Sequence, residues 1–202
     1  MSNSLRLAAL SVLAMASLSV STVAQNGVNI GLQNPLQIAT LHWYNANLTT
    51  TFGIPSANYL AFDGEHMWVT SSPGPGNVSK LRVSDGALLG TFSTGGNFPA
   101  DVAFDGANTW VVNSQSNNVG KLRASDGALL GTFNVGTNPE GVAFDGANIW
   151  VANFFSNNVT KLRAIDGAVL GTFPVGAVPQ GVAFDGAHIW VASSGSSTVS
   201  KL

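Results

Sequence analysis

Residues 141–180 read GVAFDGANIWVANFFSNNVTKLRAIDGAVLGTFPVGAVPQ, and nearly everything else in the chain is a copy of them. Phe-Asp-Gly begins at Phe62, Phe104, Phe144 and Phe184, tryptophan recurs at Trp68, Trp110, Trp150 and Trp190, and Lys-Leu begins at Lys80, Lys121, Lys161 and Lys201. The period is therefore 40 to 42 residues. Such a period marks an architecture in which one small unit cannot bury its own apolar faces and packs on its neighbours instead. Within the quoted unit the apolar runs are short, rich in Val, Ile, Trp and Phe, and broken by Asp-Gly or by Asn and Ser clusters. That pattern predicts consecutive antiparallel strands, which we place at Gly141–Phe144, Ile149–Asn153, Asn158–Ala164 and Ala168–Phe173 and call a to d. Asp145-Gly146 and Asp166-Gly167 make the tight turns, since Asp hydrogen-bonds its own backbone there and Gly accepts a positive φ. After residue 25 no stretch has helical spacing of apolar residues, so helical solenoids are excluded.

Ile149-Trp150-Val151-Ala152 and Ala168-Val169-Leu170 are apolar at consecutive positions, which predicts small sheets covered on both faces. Four-stranded sheets of that kind, repeated every forty residues, describe the blades of an all-β propeller around a central channel. The stretch Ile149–Asn153 is followed by Ser156-Asn157-Asn158-Val159, Gly171-Thr172-Phe173, Val175-Gly176, Pro179 and Gly181–Gly186. These spaced residues resemble the YVTN class of β-propeller repeats, with kinship to NHL repeats, over residues 38–202. Tryptophan stands where that class often has tyrosine, and Lys161-Leu162-Arg163 replaces its usual apolar-Asp ending of strand c. The class includes enzymes, binding modules and surface proteins, so the resemblance implies a fold and no particular reaction.

Residues 1–24 differ in kind: Arg6, an apolar stretch from Leu7 to Val20, and small residues at Thr22-Val23-Ala24. They predict a signal peptide too short to span a bilayer, hence a secreted or periplasmic protein without stable membrane insertion after cleavage. Residues 25–37 follow as an N-terminal extension, and residues 38–53 align with strands c and d of a closing blade. Further blades are expected at about residues 59–92, 101–133, 141–173 and 181–202, giving three full blades and two partial ones. Three readings stay open: a fragment of a larger propeller, a closed four-bladed ring, and assembly across chains. An unfinished ring predicts self-association, because its end faces and strand edges stay uncovered. A net charge of −2 gives no reason to expect a nucleic-acid partner, and the absence of cysteine means that no disulfide contributes to stability.

Positions that recur in every copy are explained by turns and stacking, so chemistry is sought where the copies differ. Asp101 stands where other copies have Gly141 and Gly181, and Glu140 where they have Ala100 and Gln180. Both precede strand a, at the expected channel mouth. Asp101 and Glu140, with Gln180, Asn113 and Asn153, could offer oxygens to Ca²⁺, a hard cation. Phe154-Phe155 on the b–c loop is the expected aromatic anchor for a protein or glycan partner. Three readings follow: a non-catalytic scaffold that binds a protein, glycan or small ligand, a divalent-metal hydrolase or lyase like the propeller lactonases, gluconolactonases or streptogramin lyases, and a purely structural repeat array with no separate site. The sequence leans to the first, since His42 lies in the N-terminal strand and His66 and His188 fall in a–b turns at the opposite end.

Overall fold

The computed structural model describes residues 51–72 and 74–202. The expectations for the signal peptide, the extension and nearly all of residues 38–53 lie outside the described residues. Among the described residues fifteen strands form four meandering antiparallel sheets. The first sheet contains β1 (Ala57–Phe62), β2 (His66–Ser71), β3 (Pro75–Arg82) and β4 (Leu88–Asn97). The second contains β5 (Pro99–Phe104), β6 (Asn108–Asn113), β7 (Asn118–Arg123) and β8 (Leu129–Asn134). The third contains β9 (Pro139–Phe144), β10 (Asn148–Asn153), β11 (Asn158–Arg163) and β12 (Val169–Pro174). The fourth has three strands, β13 (Pro179–Phe184), β14 (Ile189–Ser193) and β15 (Thr198–Lys201). The first strands β1, β5, β9 and β13 lie side by side between successive sheets and are the innermost.

The turn between the first two strands of each sheet is held by its aspartate. Asp145 Oδ1 accepts from the N–H groups of Ala147 and Asn148 at 2.9 and 2.7 Å. Its Oδ2 accepts from the Trp150 indole N–H at 2.7 Å, and Asp63, Asp105 and Asp185 bind Trp68, Trp110 and Trp190 alike. One carboxylate thus closes the turn and satisfies the indole that the sheet must bury. Trp68, Trp110 and Trp150 then pack inside seams between sheets: Trp68 and Val78 of the first sheet meet Val102, Val111 and Leu122 of the second. Trp110 and Val119 meet Val142, Ile149 and Leu162 in the same way, and Trp150 and Val159 meet Ile189 and Val191.

Two expectations change. The outer strands are not covered on both faces: Val169 is 56% and Leu170 44% exposed, because the rim has no further layer beyond it. Nor do Lys80 and Lys121 sit on that rim, where the sequence pattern of one Lys-Leu-Arg run per blade near Asp85, Asp126 and Asp166 predicts an exposed basic pair. Lys80 and Lys121 are buried over Trp68 and Trp110, and donate across the seam to the carbonyls of Ala124 and Ala164 at 2.6 and 2.7 Å. The arginines two residues later hold the surface, pairing with Asp85, Asp126 and Asp166 at 2.8–2.9 Å.

Among the described residues nothing covers the outer faces of the first and last sheets. Leu60, Phe62 and Val83 on one, and Trp190 and Val199 on the other, are 38–65% exposed. Their equivalents within the row, such as Val102, Ala124, Trp150 and Val159, are buried.

Candidate functional site

Each innermost strand is entered through a residue of left-handed backbone, Ser56, Phe98, Asn138 and Val178, with φ between 50° and 59°. That conformation is unfavourable for a β-branched residue such as Val178, so the surrounding hydrogen bonds must enforce it. The b–c loops supply them: Ser114, Phe154 and Ser194 donate backbone N–H to the carbonyls of Phe98, Asn138 and Val178 at 3.0 Å. This brings the b–c loops and the strand a entrances to one end of the molecule. A bulge follows in each strand, dropping Ala100, Glu140 and Gln180 out of the ladder and pairing Asp101, Gly141 and Gly181 with Val112, Ala152 and Ala192. In the first sheet the register slips at the same place, between Ala57 and Leu60, which puts Tyr59 in the column of Asp101.

At this end Tyr59, Asp101, Glu140, Gln180, Gly181 and Val182 line one cavity of about 410 Å³. It draws on all four innermost strands, and its polar groups come from the two columns in which the repeats differ. Asp101 Oδ2 accepts from the Val142 N–H at 2.9 Å and Oδ1 from the Val102 N–H at 2.8 Å, so its carboxylate spans the second and third sheets. Burial outweighs these two bonds and pushes its pKa up to about 6. Glu140 is also raised, first by burial and then by the charge of Asp101, while a 3.1 Å bond from the Asn138 amide opposes the shift. The third sheet has no room for the aspartate: a Cβ at Gly141 would run into the Gln180 carbonyl.

The structure thus brings together three of the expected site residues, Asp101, Glu140 and Gln180. Asn113 and Asn153 are not available as ligands, a correction to the sequence reading. Both are fully buried. Asn113 accepts from the Thr94 hydroxyl at 2.6 Å and donates to the Asn118 carboxamide at 2.8 Å. Asn153 accepts from the Gly136 N–H at 3.0 Å and donates to Asn158 and Thr160 at 2.8 Å. They tie the b–c loop to the preceding sheet, and Gly136 sits so close to Asn153 that any Cβ would collide with it. Phe154 and Phe155 pack edge to face at 5.0 Å, with Phe155 66% exposed, on the mouth's end but outside the cavity lining. Tyr59 was missed by sequence reasoning, although its alignment with Asp101, Gly141 and Gly181 marked it as a variable position.

A second cavity of about 420 Å³ lies at the turn end, lined by Asp63, Glu65, His66 and Lys80 among others. There Asp63 is committed to its turn and Trp68, and Lys80 to the Ala124 carbonyl. The mouth is accordingly the better candidate. Among the described residues no group of three or more His, Asp or Glu side chains converges as a metal cage would require.

No family model and no curated protein matches the sequence. Solved structures do match. Kuenenia stuttgartiensis hydrazine synthase superposes with a TM-score of 0.66 at 18% identity, over 77% of this chain and 48% of that one. The computationally designed Ika4 protein gives 0.66 at 12% identity, over 76% of this chain and 94% of that one. A streptogramin B lyase gives 0.61 at 17% identity, over 75% and 57%. The chain therefore spans about half of the hydrazine synthase chain it resembles. At these identities the likeness speaks for the fold, and together with the four meandering sheets it makes this chain a β-propeller protein.

Proposed function

We propose that the chain is a secreted, non-catalytic β-propeller scaffold of YVTN/NHL-type repeats, with residues 1–24 as signal peptide, binding its ligand through the channel mouth. The observation that carries this reading is the cavity of about 410 Å³ in which Tyr59, Asp101, Glu140 and Gln180 meet. Two carboxylates with raised pKa values and an aromatic ring suit a positively charged group of a protein ligand. They equally suit a Ca²⁺ ion that bridges to glycan hydroxyls. Asp101, Glu140 and Gln180 fit such an ion as a partial set, since Ca²⁺ takes 6–8 oxygens and the ligand and water would have to supply the rest. Phe155 extends the same end as an exposed apolar contact.

The alternative is a divalent-metal hydrolase or lyase, favoured by the likeness to a streptogramin B lyase. Against it, His66 and His188 both sit beside turn aspartates, Asp63 and Asp185, at the end away from the mouth. Metal analysis combined with thermal unfolding at rising Ca²⁺ tests the cation-binding limb, because a ligand that binds only the native state raises its stability. Ca²⁺ should raise the melting temperature of the wild type, and Glu140→Gln should abolish the increase. An unchanged melting temperature at millimolar Ca²⁺ would remove Ca²⁺ from the proposal.

A further inference from the structure

The open faces of the first and last sheets are the two halves of a seam that the molecule already forms three times. In the first seam Lys80 of one sheet donates to the Ala124 carbonyl of the next, and Trp68 and Val78 receive Val102. The repeat register aligns Trp190, Val199 and Lys201 with the donor half of that seam, Trp68, Val78 and Lys80. It aligns Leu60, Phe62 and Val83 with the receiving half, Val102, Phe104 and Ala124. Lys201 already lies over the Trp190 ring at 5.3 Å, the arrangement Lys80 has over Trp68 at 5.3 Å and Lys121 over Trp110 at 5.0 Å. Among the described residues of one chain neither face is covered, with Leu60 62% and Val199 65% exposed.

Phe52 adds a third correspondence. Its ring lies over Gly86 of the first sheet, as Phe92 lies over Gly127 and Phe133 over Gly167. Phe92 and Phe133 belong to the outer strand of the sheet before, so Phe52 occupies the place of an outer-strand phenylalanine from a sheet that would precede the first. Among the described residues the sheet β13–β15 is the one without an outer strand.

We propose that two copies of this chain join head to tail, the outer face of β13–β15 in each seated on the outer face of β1–β4 in the other. In that seam Lys201 donates to the Val83 carbonyl of the second copy, Val199 and Trp190 receive its Leu60 and Phe62, and its Phe52 completes the three-stranded sheet. A head-to-tail contact must close or grow without end. Two copies give eight sheets, which is the upper limit of the common propeller range of about 4–8 blades.

Light scattering behind size exclusion tests this on the purified chain. The wild type should have twice the monomer mass and dissociate only on strong dilution. Leu60→Lys and Val199→Glu, both at exposed positions and checked for native tryptophan circular dichroism, should each be monomeric alone. Mixed in equal amounts they should regain the two-copy mass, because one seam is then wild type and the other pairs the new lysine with the new glutamate. A wild type that is monomeric at every concentration overturns the proposal in favour of a self-contained chain. Polymers longer than two copies overturn the closed pair, and variants that stay dimeric show that these faces are not the contact.

Discussion

Three kinds of aspartate occur in this chain, two of them repeated and Asp101 single, and the surroundings of each decide its consequence. Asp145 and its equivalents close a turn and hold an indole, whereas Asp126 and its equivalents sit half exposed beside an arginine. Asp145→Ala strands the Trp150 N–H and two backbone donors and is expected to cost on the order of 2 kcal/mol in urea unfolding. Asp126→Ala should leave the unfolding midpoint nearly unchanged. Asp101 behaves differently again, because its carboxyl is pushed up from 3.8 to about 6 in the folded chain. The native state then holds a proton that the unfolded state releases, so stability falls as pH rises between those two values and stays lower above them. A shift of that size corresponds to about 3 kcal/mol, and Asp101→Asn should flatten the profile of unfolding free energy between pH 4 and 7 by about that amount. An unchanged profile in the variant would mean that Asp101 is not the titrating group. The turn aspartates could be read from the sequence as Asp-Gly signals, and Asp101 as an interruption of a glycine column. The burial of Asn113 and Asn153 could not, because a polar loop asparagine reads alike whether it faces water or caps a neighbouring loop.

At the scale of strands, the bounds read from the repeat at residues 141–173 fall within two residues of β9 to β12. Periodicity failed where an apolar run stood for the wrong surface. Ala168-Val169-Leu170 looks like Ile149-Trp150-Val151-Ala152 in composition, yet the first lies on the rim and the second between two sheets. Lys-Leu-Arg likewise hid a difference along one strand face: Lys121 and Arg123, two residues apart, share that face, yet Lys121 lies in the seam and Arg123 at the exposed end of the strand. Lys121→Met should therefore destabilise by about 2 kcal/mol, through loss of a charged hydrogen bond to Ala164 and of the contact over Trp110. Arg123→Ala removes a surface pair worth at most about 1 kcal/mol. Equal losses in chemical denaturation of the two variants would contradict the assignment of lysines to seams.

For the molecule as a whole, the repeats divide its two ends. The turn end carries the same aspartate in every sheet, spent on an indole and a turn. The mouth end gathers the positions that differ, Tyr59, Asp101, Glu140 and Gln180, into one cavity. The sequence disclosed this division because variation among copies is visible without any relative to compare. It could not disclose that four innermost strands converge there, since convergence depends on how the sheets stack. Calcium-dependent thermal unfolding of the wild type, Glu140→Gln and Asp145→Ala, at pH 5 and pH 7.5, tests the division most directly. Protonation of Asp101 near pH 6 competes with a cation, so the wild-type increase should be larger at pH 7.5. Asp145→Ala should melt lower at every Ca²⁺ concentration yet show the full increase, while Glu140→Gln should melt normally and show none. A Ca²⁺ response that survives Glu140→Gln and disappears in Asp145→Ala would place the chemistry at the turn end and contradict the account.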